Sequence, residues 1–202
     1  MAQILYQGHS SFRLITESGL VFYIDPYKGP GYDVPADVIL VTHQHFDHNQ
    51  IDIVPQKDDC TLITNFEALT DGEYNSFEIN DVIVEAVPAY NKNHKKEECV
   101  GYILEFEGRK IYFTGDTGIT EEMKSYPEKH LDIIFVPMDG IYTMDTDTAK
   151  LCTDLVKADY CVPIHTSPQY QNDDDKPYDL SVAEKFNGEH KIIIKPGENI
   201  VL

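Results

Sequence analysis

The chain has no tryptophan, only four cysteines, and 16 lysines and arginines against 35 aspartates and glutamates. The shortage of positive charge leaves a formal net charge of −19. Such a surface repels phosphate backbones and anionic lipid headgroups, so neither a nucleic acid nor a membrane surface is an expected partner. Long oily runs are missing too: nothing approaches the roughly 20 apolar residues of a bilayer span. The opening MAQILYQGHSSF lacks the basic-then-apolar pattern of a secretory leader. Cys60, Cys99, Cys152 and Cys161 are scattered without paired spacing. That excludes a disulfide framework or a cysteine zinc knot as an expectation and points to free thiols in a reducing cytoplasm. None stands in a motif that would pair it with a histidine as a nucleophile.

What is present is a series of short apolar segments cut by turn residues. Gln3–Tyr6, Phe12–Ile15, Leu20–Asp25 and Asp37–Thr42 read as strands, the last apolar at consecutive positions and so buried on both faces. Pro26 ends the third, and residues 28–35 form a loop rich in Gly and Pro. Further strands are expected at Thr61–Thr64, Asp81–Pro88, Val100–Phe106, Lys110–Thr114, Asp132–Pro137, Asp159–Ile164 and Lys191–Lys195. Glu107-Gly108-Arg109 is a hairpin signal. Helices are expected over Ile119–Ser125, Thr146–Lys157 and Leu180–Phe186; the second is the clearest, with Ala149, Cys152 and Val156 on one face and Asp145 or Thr146 as its cap. The acidic run at residues 172–176 reads as a solvated loop. Strands with helices interspersed in both halves predict an α+β four-layer sandwich, formed by residues 1–202 as one domain.

Histidine is sparse, yet His43, His45 and His48 crowd around Asp47 in THQHFDH, at the end of the most apolar strand. His43 and His45 alternate and point the same way if the backbone is extended; Asp47 and His48 follow a turn and serve a neighbouring position. That arrangement suits two adjacent divalent cations. Two more strands run into ligand types: Ile111–Phe113 leads into Thr114-Gly115-Asp116, and Cys161–Ile164 leads into His165. A carboxylate at Asp116 can bridge two cations. A pair of cations about 3.5–4 Å apart acidifies a shared water and polarises a carbonyl or phosphoryl oxygen, so no protein nucleophile is required.

THQHFDH, FTGDT and VPIH resemble successive motifs of the metallo-β-lactamase superfamily, and YIDP at Tyr23–Pro26 resembles its first motif. GHSSF, VPAYN and GIYTM narrow the likeness to small metal-dependent hydrolases related to L-ascorbate-6-phosphate lactonase. The resemblance implies an αββα sandwich with metals at one edge. It implies His43 and His45 on the first metal, Asp47, His48 and His165 on the second, Asp116 between them, and Asp25 behind the histidine loop; a turn residue before Pro26 is the other reading of Asp25. Zinc is the first expectation for both ions, and manganese, iron or nickel are also compatible. One position departs from the pattern. Tyr90 stands where the superfamily has a third histidine, and a phenol is a poor ligand near neutrality. His94 completes the first site if its loop folds back.

Asp47 is also expected to steer the proton of the attacking water. His9 is either a proton donor or substrate contact, or a structural histidine; Tyr142 is either an oxyanion donor or a packing residue. Lys92, Lys95 and Lys96 surround His94, as an attractor for an anionic substrate or as a solvated loop. His130 and His190 lack motif context and are expected on the surface. The functional expectation is a cytoplasmic metal-dependent hydrolase of a small lactone, ester or amide. A small phosphodiesterase is the alternative, and a non-catalytic metal- or ligand-binding protein on the same scaffold is a third reading. A di-iron oxygen-reducing role would place glutamate where His45 stands.

Overall fold

The computed structural model describes residues 1–168 and 178–202; the acidic run expected as a loop at 172–176 lies outside the described residues. The strands are β1 (Gln3–Gly8), β2 (Ser11–Ile15), β3 (Val21–Ile24), β4 (Ala36–Leu40), β5 (Gln56–Ile63), β6 (Leu69–Thr70), β7 (Glu73–Tyr74), β8 (Ser76–Ile79), β9 (Val82–Pro88), β10 (Val100–Phe106), β11 (Arg109–Phe113), β12 (Ile133–Pro137), β13 (Tyr160–Ile164) and β14 (Asn199–Val201). The helices are α1 (Asn65–Ala68), α2 (Thr146–Val156) and α3 (Leu180–Lys185), with 3-10 turns at Ile51–Ile53 and Glu121–Lys129.

Two six-stranded sheets form, in the orders β14-β1-β2-β3-β4-β5 and β13-β12-β11-β10-β9-β8. Each is antiparallel in one part and parallel in the other: β3, β4 and β5 run parallel, as do β11, β12 and β13. The parallel strands are the most apolar ones, with every residue of β3 and β12 buried, as strands covered on both faces must be. Between the sheets the core is aromatic: Phe12 of β2 lies 5.1 Å from Phe113 and 4.3 Å from Phe135, ring to ring. The outer face of the second sheet is covered by Met123 and Tyr126 of the 3-10 helix, Ala149, Cys152 and Val156 of α2, and Phe186. The outer face of the first sheet has a thinner cover, in which Tyr32, Val34, Ile51 and Val54 pack on Tyr23, Ile39 and Val41. The result is the four-layer α+β sandwich expected from the strand pattern.

α2 follows its sequence signals. The Asp145 side chain accepts from Thr148 N at 2.8 Å, and Lys157 ends the helix in the left-handed conformation. Other expectations need correction. Lys191–Lys195 is not a strand: it makes a single bridge, Lys191 to Cys161, and its isoleucines pack on the core without a ladder. The closing strand is β14, paired with β1. β5 starts at Gln56 rather than Thr61, and β8 was not expected at all. Both are terminal strands of their sheets and mostly exposed or half-buried, so they lack the clean apolar alternation that marks a covered strand. The segment at 119–125 is a 3-10 helix displaced to Glu121–Lys129, with Pro127 inside it.

Candidate metal centre

The carboxyl ends of the parallel strands carry the site. Asp25 follows β3, Thr42 and His43 follow β4, Asp116 follows β11, Asp139 follows β12 and His165 follows β13. Open sheets place ligands at such strand ends because the loops there converge on a crevice. Asp25, His165 and His9 all adopt left-handed backbone conformations, at φ 46°, 44° and 58°. Each costs of order 1–3 kcal/mol in a non-glycine residue and persists only where the surroundings enforce it. His165 N donates to His9 O at 2.9 Å, which ties two of the three together. Gly115 allows the approach of Asp116: its φ is 62°, and a Cβ there would meet Thr42 Cβ at 2.9 Å.

Four imidazoles are held from behind through Nδ1. Thr42 Oγ1 donates to Asp25 Oδ2 at 2.7 Å and so accepts from His43 Nδ1 at 3.0 Å. His48 Nδ1 donates to the same Asp25 oxygen at 2.8 Å, while Thr42 N donates to Asp25 Oδ1 at 2.7 Å. On the other side His165 Nδ1 lies 3.0 Å from Asp139 Oδ2, a buried ion-pair contact. His94 Nδ1 lies 3.1 Å from Asn91 Oδ1, an oxygen that also accepts from Asn93 N and His94 N. Those backbone donors fix which end of the Asn91 amide faces the ring, so His94 Nδ1 carries the hydrogen. A proton on Nδ1 leaves a lone pair on Nε2, the arrangement metal-binding histidines adopt.

Three of the Nε2 atoms face Asp116. Asp116 Oδ1 lies 3.5 Å from His48 Nε2; its Oδ2 lies 3.4 Å from His94 Nε2 and 3.3 Å from His165 Nε2. The Nε2 atoms of His43, His48, His94 and His165 and both Asp116 oxygens are buried with no hydrogen-bond partner of good geometry among the described residues. Orphaned polar atoms in that number are costly unless something else satisfies them. Their ligating atoms fall into overlapping groups, each within 4.8 Å: His43, His45 and His94; His43, His48 and Asp116; and His9, Asp47, His48 and His165. Imidazole nitrogens and carboxylate oxygens at these separations fit divalent transition metals.

The cluster gathers buried charge of both signs. Burial opposes charge on Asp116, but His165 and His48 outweigh it and hold the carboxyl well below its usual range. Burial likewise opposes a proton on His165, and Asp116 and Asp139 override it, pushing that imidazole up to about 10. His43 goes the other way: burial, then neighbouring His48, lower it well below a free histidine. Buried Asp47 is held below the usual carboxylate range by His48 and by the hydrogen bond from His9.

Every residue expected at the centre from the sequence is placed there except one. His94 folds back so that its ring centroid lies 5.0 Å from those of His43 and His45. Tyr90 turns away: its hydroxyl donates to Glu122 Oε2 at 3.1 Å. His9 is fully buried behind Asp47, its Nε2 2.9 Å from Asp47 Oδ2, and its ring lies 3.6 Å from that of His165. Burial, with His165 next, lowers its pKa to about 4. Tyr142 is the exception. It is exposed, its phenol makes no hydrogen bond with the described residues, and its carbonyl accepts from Asn91 and Asn93. Lys95 and Lys96 are engaged by Glu98 and Glu122. His130 and His190 are exposed. A cavity of about 390 Å³ opens against His43, His45 and His94 and is walled by Gln44, Asn65, Phe66 and Asn93. Asp139, Asn91 and Thr42 were not singled out from sequence. Asp139 had the available signal, an apolar strand running into Asp-Gly, as at Asp116.

Sandwich topology, strand-end ligand types and convergent imidazoles define a metallo-β-lactamase-type protein. The Beta-lactamase superfamily domain profile matches residues 3–165, and the chain belongs to the metallo-β-lactamase superfamily. It is 32% identical to the UPF0173 metal-dependent hydrolase of Carboxydothermus hydrogenoformans, across 99% of this chain and 100% of the relative. It is 28% identical to the UPF0173 metal-dependent hydrolase TTHA1283 of Thermus thermophilus, across 98% of each. Among solved structures, a Parabacteroides distasonis protein provisionally named a metal-dependent hydrolase superposes with a TM-score of 0.72 at 28% identity, covering 94% of this chain and 91% of that one. Igni18, a metallo hydrolase of Ignicoccus hospitalis, shares the fold with a TM-score of 0.75 at 20% identity, over 98% of this chain and 97% of its own. Among the described residues no helix is long and apolar enough to cross a membrane.

Proposed function

We propose that the chain is a metal-dependent hydrolase that holds two divalent cations and uses water to open a small carbonyl substrate, a lactone, ester or amide. The observation that carries this reading is the set of four buried Nε2 atoms and two Asp116 oxygens that converge without partners. His43, His45 and His94 form one half of the donor set; Asp47, His48 and His165 form the other; Asp116 faces both. Bound divalent cations supply Lewis acidity, which lowers the pKa of water and polarises the substrate oxygen. Zinc is the first choice for this donor set, with manganese, iron and nickel as alternatives.

The protein's own groups do the rest. Thr42, Asp25 and Asn91 keep Nδ1 hydrogens in place, and Asp139 sets a carboxylate beside His165 Nδ1. Asp47, kept ionised, accepts the proton that water gives up. His9, neutral at pH 7 and enclosed by Asp47 and His165, donates to Asp47 and orients it rather than meeting substrate. The cavity beside His43, His45 and His94 is lined by the amides Gln44, Asn65 and Asn93, by one exposed aromatic, Phe66, and by the mutually paired Lys95 and Glu98. It suits a small molecule, and the net charge of −19 disfavours a polynucleotide. Elemental analysis of the purified protein, with a panel of lactones, esters and amides beside a chromogenic phosphodiester, tests the reading. Two metals per chain and carbonyl hydrolysis lost in His43→Ala support it. Turnover of the phosphodiester alone would move the assignment to phosphoryl transfer, and a metal-free protein would overturn it.

A further inference from the structure

The imidazoles on the Asp139 side are joined to each other behind the metal centre. Asp139 Oδ1 accepts from Ile141 N at 2.6 Å, Tyr142 N at 2.7 Å and Thr143 N at 3.3 Å. Thr143 Oγ1 donates to Asp139 Oδ2 at 3.1 Å, and the same oxygen lies 3.0 Å from His165 Nδ1 as an ion-pair contact. The carbonyls of the same turn face the His94 loop. Asn91 Nδ2 donates to Tyr142 O at 3.1 Å, and Asn93 Nδ2 donates to Tyr142 O at 3.0 Å and Ile141 O at 3.2 Å. Asn91 Oδ1 then receives His94 Nδ1. The path closes at the front, where His94 Nε2 and His165 Nε2 both face Asp116 Oδ2.

We propose that the 139–143 turn is a positioning strap that sets His165 and His94 as a pair, with Asp139, Asn91 and Asn93 as its positioning residues. The inference rests on the metal-centre reading above. Each histidine belongs to a different half of the donor set, so the strap makes the two cation positions depend on one another. The chemistry of the strap is suited to this. A carboxylate that already receives three backbone N–H groups has no freedom left to follow a wandering imidazole. An amide pinned by two backbone donors at its oxygen can offer its nitrogen in one direction only. Exposed Ile141 and Tyr142 ride on the strap, so whatever contacts them also bears on the spacing of the two rings.

The test severs the link while leaving each histidine its own acceptor. Asn91→Asp combined with Asn93→Ala keeps an oxygen for His94 Nδ1 and leaves Asp139 untouched, but removes the side-chain donors that the described residues offer to the Ile141 and Tyr142 carbonyls. Two measurements read the result. One is cobalt(II) titration of the metal-stripped protein, followed by its visible ligand-field bands. The other is exchange with solvent of the His94 and His165 Nδ1 protons in the zinc-loaded protein, followed by NMR. The expected result is about a tenfold loss of cobalt affinity, the lower end of what such outer contacts contribute. With it, the His165 Nδ1 proton exchanges markedly faster, although its direct partner Asp139 is unchanged. The altered side chains are half-buried or exposed, so the thermal midpoint of the stripped variant should stay close to that of the wild type. If the wild type binds cobalt and the double variant matches it in both measurements, the strap is overturned and the metal centre stands. If the wild type takes up no cobalt, the metal-centre reading fails and the strap falls with it.

Discussion

The metal centre has two rear walls built on different principles. One is Asp25 with Thr42, set on the ends of adjacent parallel strands β3 and β4. The other is Asp139 with Asn91, set on a turn and a loop. Each wall holds one histidine from each half of the donor set: His43 and His48 on the first, His94 and His165 on the second. The first wall is buried throughout and its acceptor is a single carboxylate shared by three donors: Thr42 N, Thr42 Oγ1 and His48 Nδ1. The second ends in an amide, passes through backbone N–H groups and has exposed residues along it. Rigid strand ends fix one side of the site, and a turn that can respond to its surroundings fixes the other. That division gives binding energy to the strands and adjustability to the loops.

Removing the Asp25 carboxylate should do the most damage. In Asp25→Ala the His48 Nδ1, Thr42 N and Thr42 Oγ1 lose their acceptor in a place water does not reach. The expected loss is about 3–5 kcal/mol, the range for breaking a buried charged contact, measured by urea unfolding of metal-stripped protein. Asp139→Ala also strips a buried imidazole, His165, of a carboxylate, but should cost less, about 1–3 kcal/mol, because the turn amides it releases lie near solvent. If the two variants unfold at the same urea concentration, the contrast between the walls is wrong.

Chelation sharpens the same contrast. A ligand present at 100 times its Kd stabilises the folded state by about 2.7 kcal/mol, and stripping it forfeits that amount. Hydrogen exchange should show where the loss falls. Amides of 139–143 and 91–94 are expected to lose protection on chelation, while those at the ends of β3 and β4 hold theirs. Uniform loss across both walls would mean that the strands depend on the cations as much as the loops do.

Thr42→Val keeps the shape of the first wall and removes its hydroxyl. Asp25 loses a donor and His43 Nδ1 loses its acceptor, at an expected cost of about 1–2 kcal/mol. Cation affinity should fall by about tenfold or more, as outer-contact losses do, read by competition with a chromogenic chelator. An unchanged affinity would show that His43 is oriented by packing and not by its hydrogen bond.

The two walls also differ in how far the sequence discloses them. His43, His45, Asp47 and His48 are contiguous, and strands running into Asp116 and His165 repeat one pattern, so their meeting at one edge was legible. Asp25 could be placed because an apolar strand ends there before Pro26. Asp139 sits in the same pattern, Ile133–Pro137 followed by Met138-Asp139-Gly140, but Asp-Gly is ordinary turn chemistry and carries no mark of its long-range partner. Asn91 and Thr42 act through an amide and a hydroxyl, groups common in every loop, and only the folded geometry gives them a histidine. The same physics hid β5 and β8. Terminal strands need no apolar face on both sides, so their residues do not alternate, while the covered strands β3, β4 and β12 announce themselves by composition. Asn199–Val201 is too short for any pattern and takes its conformation from β1.

The smallest expected effect lies where the second wall meets α2. Gly140 N donates to Met144 O at 2.9 Å, and the next residue, Asp145, caps the helix through Thr148 N. Asp145→Ala is expected to cost about 0.5–1 kcal/mol, the low end for a cap because the side chain is exposed. The Thr148 hydrogen bonds hold the Asp145 carboxyl below the usual carboxylate range. A depressed folded-state pKa contributes stability above the unfolded value, about 3.9 for aspartate, and that contribution is lost as pH falls through the folded value. The gap between wild type and Asp145→Ala in urea should therefore be full at pH 7 and shrink under acid conditions. Cobalt affinity should not change, because the cap fastens the helix and the Asp139 carboxylate fastens the turn. If Asp145→Ala weakens cation binding as well, the second wall draws its rigidity from α2, and the two walls are more alike than their hydrogen bonds suggest.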